Sequence, residues 1–142
     1  MNLTTTEMGL QRAQTLVNRA IEIGFRDFSR PICVSICDAQ GFLLSFGRAD
    51  GAPVRSIEIS QRKAYTCARM GVSTEAFLAR LKRDAIDIGY FCDERFTALP
   101  GGVVLKNAQG QVLGGVGISG LTSAEDHVIA DALAQIAASG AA

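Results

Sequence analysis

Residues 99–120 read LPGGVVLKNAQGQVLGGVGISG, an alternating segment with Gly114, Gly115 and Gly117 set into what otherwise has the pattern of a β-strand. Glycine in a strand interior contributes no packing and has the most backbone entropy to lose. Three of them therefore mark a bulge, or a place where something lies close against the backbone. A packed helix, another subunit or a ligand would each satisfy that pattern. A fold available to this chain must either bulge here or bring one of them onto this strand.

The surrounding elements follow from periodicity and turn chemistry. In PICVSICDAQGFLLSFGR, Ile32, Val34 and Ile36 point one way while Cys33, Ser35 and Cys37 point the other. DAQG at 38–41 predicts a turn into a second strand at 42–46, and NAQG at 107–110 predicts a turn between strands at 103–106 and from 111 past 115. The shared AQG reflects convergent turn chemistry and is too short to be a repeat. Thr4 and Glu7 form a capping box for a first helix in which Ala13, Leu16, Val17, Ala20 and Ile21 recur at helical spacing, with Gly24 as its stop. Ser56 is placed to cap a second helix to about residue 69, and Thr74 a third to about residue 85, with Gly71 between them. The segment 86–99, IDIGYFCDERFTAL, reads as a loop with an edge strand near Phe96. Thr122 or Ser123 starts a last helix whose Val128, Ile129, Ala132, Leu133 and Ile136 make an apolar stripe. Helix, hairpin, helix pair, hairpin, helix is the order of an α+β fold with an antiparallel sheet.

Composition narrows the function classes. A chain of 142 residues is expected to form a single domain over its whole length, with one sizeable core. Basic and acidic residues number 14 each, which leaves no electrostatic footprint for nucleic acid. The N-terminal MNLTTTEMG has neither a basic region nor an apolar run, so the expectation is a cytoplasmic protein without a membrane partner. Cys33, Cys37, Cys67 and Cys92 form no CxxC pair and the chain has one histidine, so the cysteines read as reduced packing residues rather than zinc ligands.

DAQGFLLSFGRADGAPVRSIEISQRKAYT, the later LPGG and GGVGISGLTSAEDHVIADA together resemble the GlcG/HbpS-like family, also called the haem-degrading domain family, which includes the C-terminal part of PduO-type proteins. The resemblance spans residues 3–138 and rests on the ordered combination of these motifs. It implies a profilin-like α+β fold, a five-stranded antiparallel sheet flanked by helices, and self-assembly into dimers or larger oligomers. Haem is the cofactor it implies, since some members bind haem and some are linked to its degradation. Many members carry a Gly/Pro/Leu-rich segment before the LPGG where this chain has LKRDAIDIGYFCDERFTA, so the lip of any pocket differs here. The resemblance supplies no iron ligand at a numbered position.

Candidate site residues come from chemistry and from these motifs. The glycine strand runs through Gly117, Ser119 and Gly120 into the start of the last helix, where unpaired N–H groups and the helix dipole favour a carboxylate or phosphate. Ser123 and Asp126 are placed to satisfy the same groups internally. Lys63 lies about 90° from the centre of the apolar stripe made by Ile57, Ser60, Ala64, Cys67 and Ala68, at the rim of the buried face. There its ammonium would reach an anionic ligand or rest in water. Arg48, Asp50 and Ser56 belong to the adjoining RADGAPVRS loop, and Gly101 and Gly102 to the LPGG motif; they complete the expected ligand-binding set. His127 is the first candidate for haem iron, although its side of the helix, away from the stripe, is also that of a solvated histidine. Three functions fit: a haem- or tetrapyrrole-binding accessory protein, an enzyme or sensor for a small oxygenated carboxylate using Lys63 or Asp126 for proton transfer, and an oligomeric scaffold without a ligand.

Overall fold

The computed structural model describes residues 7–140. Its elements are α1 (Leu10–Phe28), β1 (Cys33–Asp38), β2 (Leu43–Arg48), α2 (Arg55–Met70), α3 (Thr74–Asp84), a short 3-10 turn (Ile88–Phe91), β3 (Gly102–Lys106), β4 (Val112–Ser119) and α4 (Ser123–Ser139). The four strands form one antiparallel sheet in the order β2-β1-β4-β3. The fold is thus α+β, with four strands among the described residues where five were expected. The missing strand is the one anticipated near Phe96; that ring instead packs edge-to-face on Tyr65 and Phe77 and at a tilt on Phe91.

Strand alternation divides the sheet into two unlike faces. Ile32, Val34, Ile36, Leu113, Val116 and Ile118 enter the main core, beneath Leu16, Val17 and Ala20 of α1 and Ile129, Leu133 and Ala137 of α4. On the other face Ser35, Cys37, Gly115 and Gly117 meet α2 through its smallest residues. A Cβ on Gly117 would collide with the Ser60 carbonyl oxygen, and one on Gly115 would lie 2.7 Å from both the Ala64 carbonyl oxygen and Cys67 Sγ. The strand is thinned because a helix backbone rests on it.

Local chemistry shapes both hairpins in the same way. Asp38 Oδ1 accepts the N–H groups of Gln40 and Phe42 at 3.0 Å, and Asn107 Oδ1 accepts those of Gln109 and Gln111 at 3.0 and 2.9 Å. Gly41 and Gly110 then take φ of 94° and 83°, which a side chain would oppose.

Several helix boundaries differ from expectation, each for a local reason. Thr4 lies outside the described residues, and α1 begins after Gly9 without a side-chain cap. Gly24 does not stop α1; it is buried inside the helix, where a Cβ would press on the Arg30 carbonyl and Ile32, and the stop is Ser29 in the left-handed region. Ser56 does not cap α2, because winding has already begun at Val54, and the Ser56 N–H donates to the Pro53 carbonyl. Ser73 rather than Thr74 caps α3, which frees the buried Thr74 hydroxyl to accept the Gly102 N–H at 2.9 Å. Thr122 caps α4 in a full capping box with Glu125. Val128, assigned to the apolar stripe, is 57% exposed, whereas Ile129 and Leu133 are buried. No helix among the described residues is long and apolar enough to cross a membrane.

Gly117→Val is expected to cost more than the roughly 1–3 kcal/mol usual for overpacking, because helix backbone rather than a pliable side chain occupies the space. A chemical-denaturation curve within 1 kcal/mol of the parent would show that α2 can withdraw without penalty.

Candidate functional site

The approach of α2 to β4 carries Lys63 inward. Its side chain, expected at a rim, is only 2% exposed, because α4 and the LPGG loop cover an edge that periodicity within α2 cannot see. The ammonium donates to the Ile118 carbonyl at 2.8 Å and to Asp126 Oδ2 at 3.1 Å. Asp126 Oδ1 accepts the Leu121 N–H at 3.1 Å. Gly101, at φ 129°, presses directly on this pair: a Cβ there would lie 2.7 Å from Lys63 Nζ. Burial pulls the Lys63 ammonium below its ordinary value and pushes the Asp126 carboxyl above its own, with each partner's charge opposing the shift.

Lys63, Asp126, Gly101, Gly102, Gly117 and Ser119 are all buried, with Lys63 and Asp126 bonded to each other, Gly101 and Gly102 packed on Lys63, and Gly117 packed on Ser60 and Ala64. Gly120, at φ 127°, adjoins them beside Pro31 and Ser56. Arg48, at the end of β2, and Asp50, in the β2–α2 loop, stay apart from them; Arg48 braces the turn by donating to the Ala52 carbonyl at 2.9 and 3.2 Å. Asp50 is exposed. The start of α4, expected to attract an outside anion, already holds carboxylates of its own: Glu125 accepts the Thr122 N–H at 3.1 Å and pairs with Arg30 at 2.8 Å, and Asp126 lies beside it. His127 sits partly buried with Nε2 3.6 Å from Glu75 of α3. No group of three or more His, Cys, Asp or Glu among the described residues is arranged to hold a metal ion.

A second region, missed by motif reading, lies on the opposite side of α2. Phe42 and Leu43 from the β1–β2 turn, Tyr65 and Arg69 from α2, and Phe91, Cys92, Asp93, Arg95 and Phe96 line two adjoining cavities of about 300 and 660 Å³ that share Phe42 and Arg69. Phe42 and Leu43 are 63% and 50% exposed, a large apolar surface to leave in water. The guanidiniums of Arg69 and Arg95 lie 4.5 and 4.8 Å from the centre of the Tyr65 ring. The far wall is fastened to α2 side chain by side chain: Tyr65 donates its hydroxyl to Asp93 at 2.6 Å, Arg62 donates to the Glu94 carbonyl at 3.0 Å, and the Thr66 hydroxyl accepts the Thr97 N–H at 3.0 Å. Burial works against the Asp93 carboxylate, but the Tyr65 hydroxyl, the Arg95 N–H and both guanidiniums outweigh it and hold its pKa below the ordinary range. The aromatic density of YFCDERF was the one sequence signal for this wall.

A family model described as haem degrading protein HbpS-like matches residues 8–135. An uncharacterised 15.0 kDa protein of the dhaT-dhaS intergenic region of Citrobacter freundii is 32% identical over 122 residues, covering 84% of this chain and 81% of that one. The structure of a double mutant of HbpS from Streptomyces reticuli is similar, with a TM-score of 0.82 and 25% identity, over 94% of this chain and 88% of that one. A PduOC:heme complex shares the fold, with a TM-score of 0.77 and 24% identity, over 91% and 94% of the respective chains.

Lys63→Met or Asp126→Asn alone should cost about 3–5 kcal/mol by stranding a buried charge, and the double variant should recover much of that loss. Equal and additive losses in denaturation would contradict the coupling. In Asp126→Asn the unfolded chain holds a proton that the buried amine resists, so the deficit should shrink as pH rises toward the ordinary lysine value of 10.5.

Burial also pushes the thiols up, Cys37 to about 12 and Cys67 well above its ordinary value, while Cys92 is exposed. A thiol reagent at neutral pH should therefore label Cys92 rapidly and the buried Cys33, Cys37 and Cys67 only on unfolding. Rapid reaction of more than one thiol in the native protein would count against this packing.

Proposed function

This chain belongs to the HbpS-like haem-degrading protein family, and on that premise we propose that it binds haem or a closely related tetrapyrrole in the groove between α2, the β1–β2 turn and residues 91–96. The observation that carries the reading is the pairing of exposed aromatic and aliphatic surface with two guanidiniums in one groove. A tetrapyrrole has the matching chemistry, a flat apolar ring with carboxylates along one edge. Burying about 400 Å² of such a ring contributes roughly 10 kcal/mol before ordering costs. Phe42, Leu43, Phe91 and Phe96 would face the ring. Arg69 and Arg95 would take the carboxylates, with charge-assisted hydrogen bonds stronger than neutral ones.

The ring-and-carboxylate fit rests on this chain's own residues; that a relative sharing the fold is a complex with haem adds support. Bound haem would supply an iron centre for redox or ligand chemistry. The protein's part is to hold the ring against apolar side chains, to exclude water from one face, and to orient the carboxylates. Lys63 and Asp126 have no part in it, because each already satisfies the other. Accessory binding is therefore favoured over proton transfer to a small carboxylate.

A hemin titration followed at the Soret band should saturate near one per chain. Arg69→Ala with Arg95→Ala should weaken it about tenfold or more, since a hydrogen bond to a charged group contributes about 1.5–3 kcal/mol. No saturable shift, or undiminished affinity in a folded double variant, would overturn the proposal.

A further inference from the structure

We infer that the groove selects its ligand by the carboxylates and the ring rather than by the metal, so that its substrate class is the dicarboxylic porphyrin whether or not a metal sits at its centre. This deepens the preceding proposal and rests on it.

The donor set on the groove walls carries the inference. Four side chains that line it have atoms able to bind iron: Cys37, Tyr65, Cys92 and Asp93. Three are already committed. The Cys37 sulfur is buried and donates to the Ala64 carbonyl at 3.3 Å. The Tyr65 hydroxyl donates to Asp93 at 2.6 Å. Asp93 accepts that bond, which holds the 91–96 wall to α2, on Oδ2, and the Arg95 N–H, which shapes the turn within the wall, on Oδ1. Recruiting Tyr65 or Asp93 would break the bond that holds the 91–96 wall to α2, and recruiting Cys37 would open the interface between the sheet and α2. Cys92 alone is exposed, with only a 3.6 Å contact to the Tyr90 carbonyl. The chain's one histidine does not line the groove and faces Glu75 of α3 instead.

The cationic side of the groove is differently disposed. The Arg95 guanidinium makes no hydrogen bond or ion pair among the described residues and rests over the Tyr65 ring. Arg69 donates through Nε to the Gln40 carbonyl at 3.0 Å, which fixes its head at the groove edge with Nη1 at 4.0 Å from Asp93. One guanidinium makes no hydrogen bond and rests only against an aromatic face, the other is oriented by one, whereas the iron-binding atoms are mostly spent. Recognition therefore lies with groups that read carboxylates.

The experiment compares hemin with metal-free protoporphyrin IX, followed by absorbance and porphyrin fluorescence, on the parent protein, on the Arg69→Ala/Arg95→Ala variant and on Cys92→Ser. Protoporphyrin IX should bind the parent within about threefold of hemin, the fold-change corresponding to less than one kcal/mol. The double variant should lose both ligands in parallel, by tenfold or more. Cys92→Ser should leave the Soret maximum and the hemin affinity in place. If hemin binds and protoporphyrin IX does not, or if Cys92→Ser shifts the spectrum and weakens hemin tenfold, the metal is being read and this inference fails while the haem-binding proposal stands. If neither ligand binds, both readings fall.

Discussion

The contact on which the rest of the structure depends is the close approach of α2 to the β4 backbone, which Gly115 and Gly117 permit by contributing no side chains of their own. Close approach brings polar atoms into a dry interface, and each of those described finds a partner. The Ser35 and Ser60 hydroxyls bond at 2.9 Å, and the Cys37 and Cys67 thiols share the Ala64 carbonyl. An unmatched hydroxyl here would carry a desolvation cost of about 1–3 kcal/mol, more than the roughly 0.8 kcal/mol gained by burying one methylene. The interface therefore tolerates neither larger residues nor unpaired ones.

One helix thereby acquires two unlike edges. Residues 63 and 65 are two positions apart, about 200° around an α-helix, so they face nearly opposite ways. Lys63 is carried under the LPGG loop and the start of α4, where its charge is met by Asp126 and the Ile118 carbonyl. Tyr65 and Arg69, one turn apart, are carried to the other edge and form a wall of the groove. The depth of α2 on the sheet sets both environments, which is why a strand glycine remote from the groove bears on its shape.

The Lys63–Asp126 pair illustrates how little an ion pair adds once it is buried. Desolvation of both groups offsets most of their attraction, so the consequence of the pair is positional: it ties α2, β4 and α4 at one point and admits the LPGG loop only as glycine. The groove is held by a different principle. Its outer wall has no regular strand, and its place depends on side-chain bonds from Arg62, Tyr65 and Thr66 together with the packing of Phe77, Phe91 and Phe96.

Local chemistry alone determined a good part of this protein. Strand alternation at residues 32–37, the Asx turns at Asp38 and Asn107, the stop at Gly71 and the cap at Thr122 are all short-range effects, and each was legible. The thinning of β4 was equally plain as a demand for a close neighbour. Which neighbour met that demand was a tertiary matter, settled by the small residues of α2. The same holds for Lys63, whose burial comes from the LPGG loop and α4, both distant in the chain. The 86–99 segment was least legible for a related reason. Its order rests on contacts with α2 and α3 rather than on any internal period, so the aromatic and charged groups that line the groove come together only when the chain has folded.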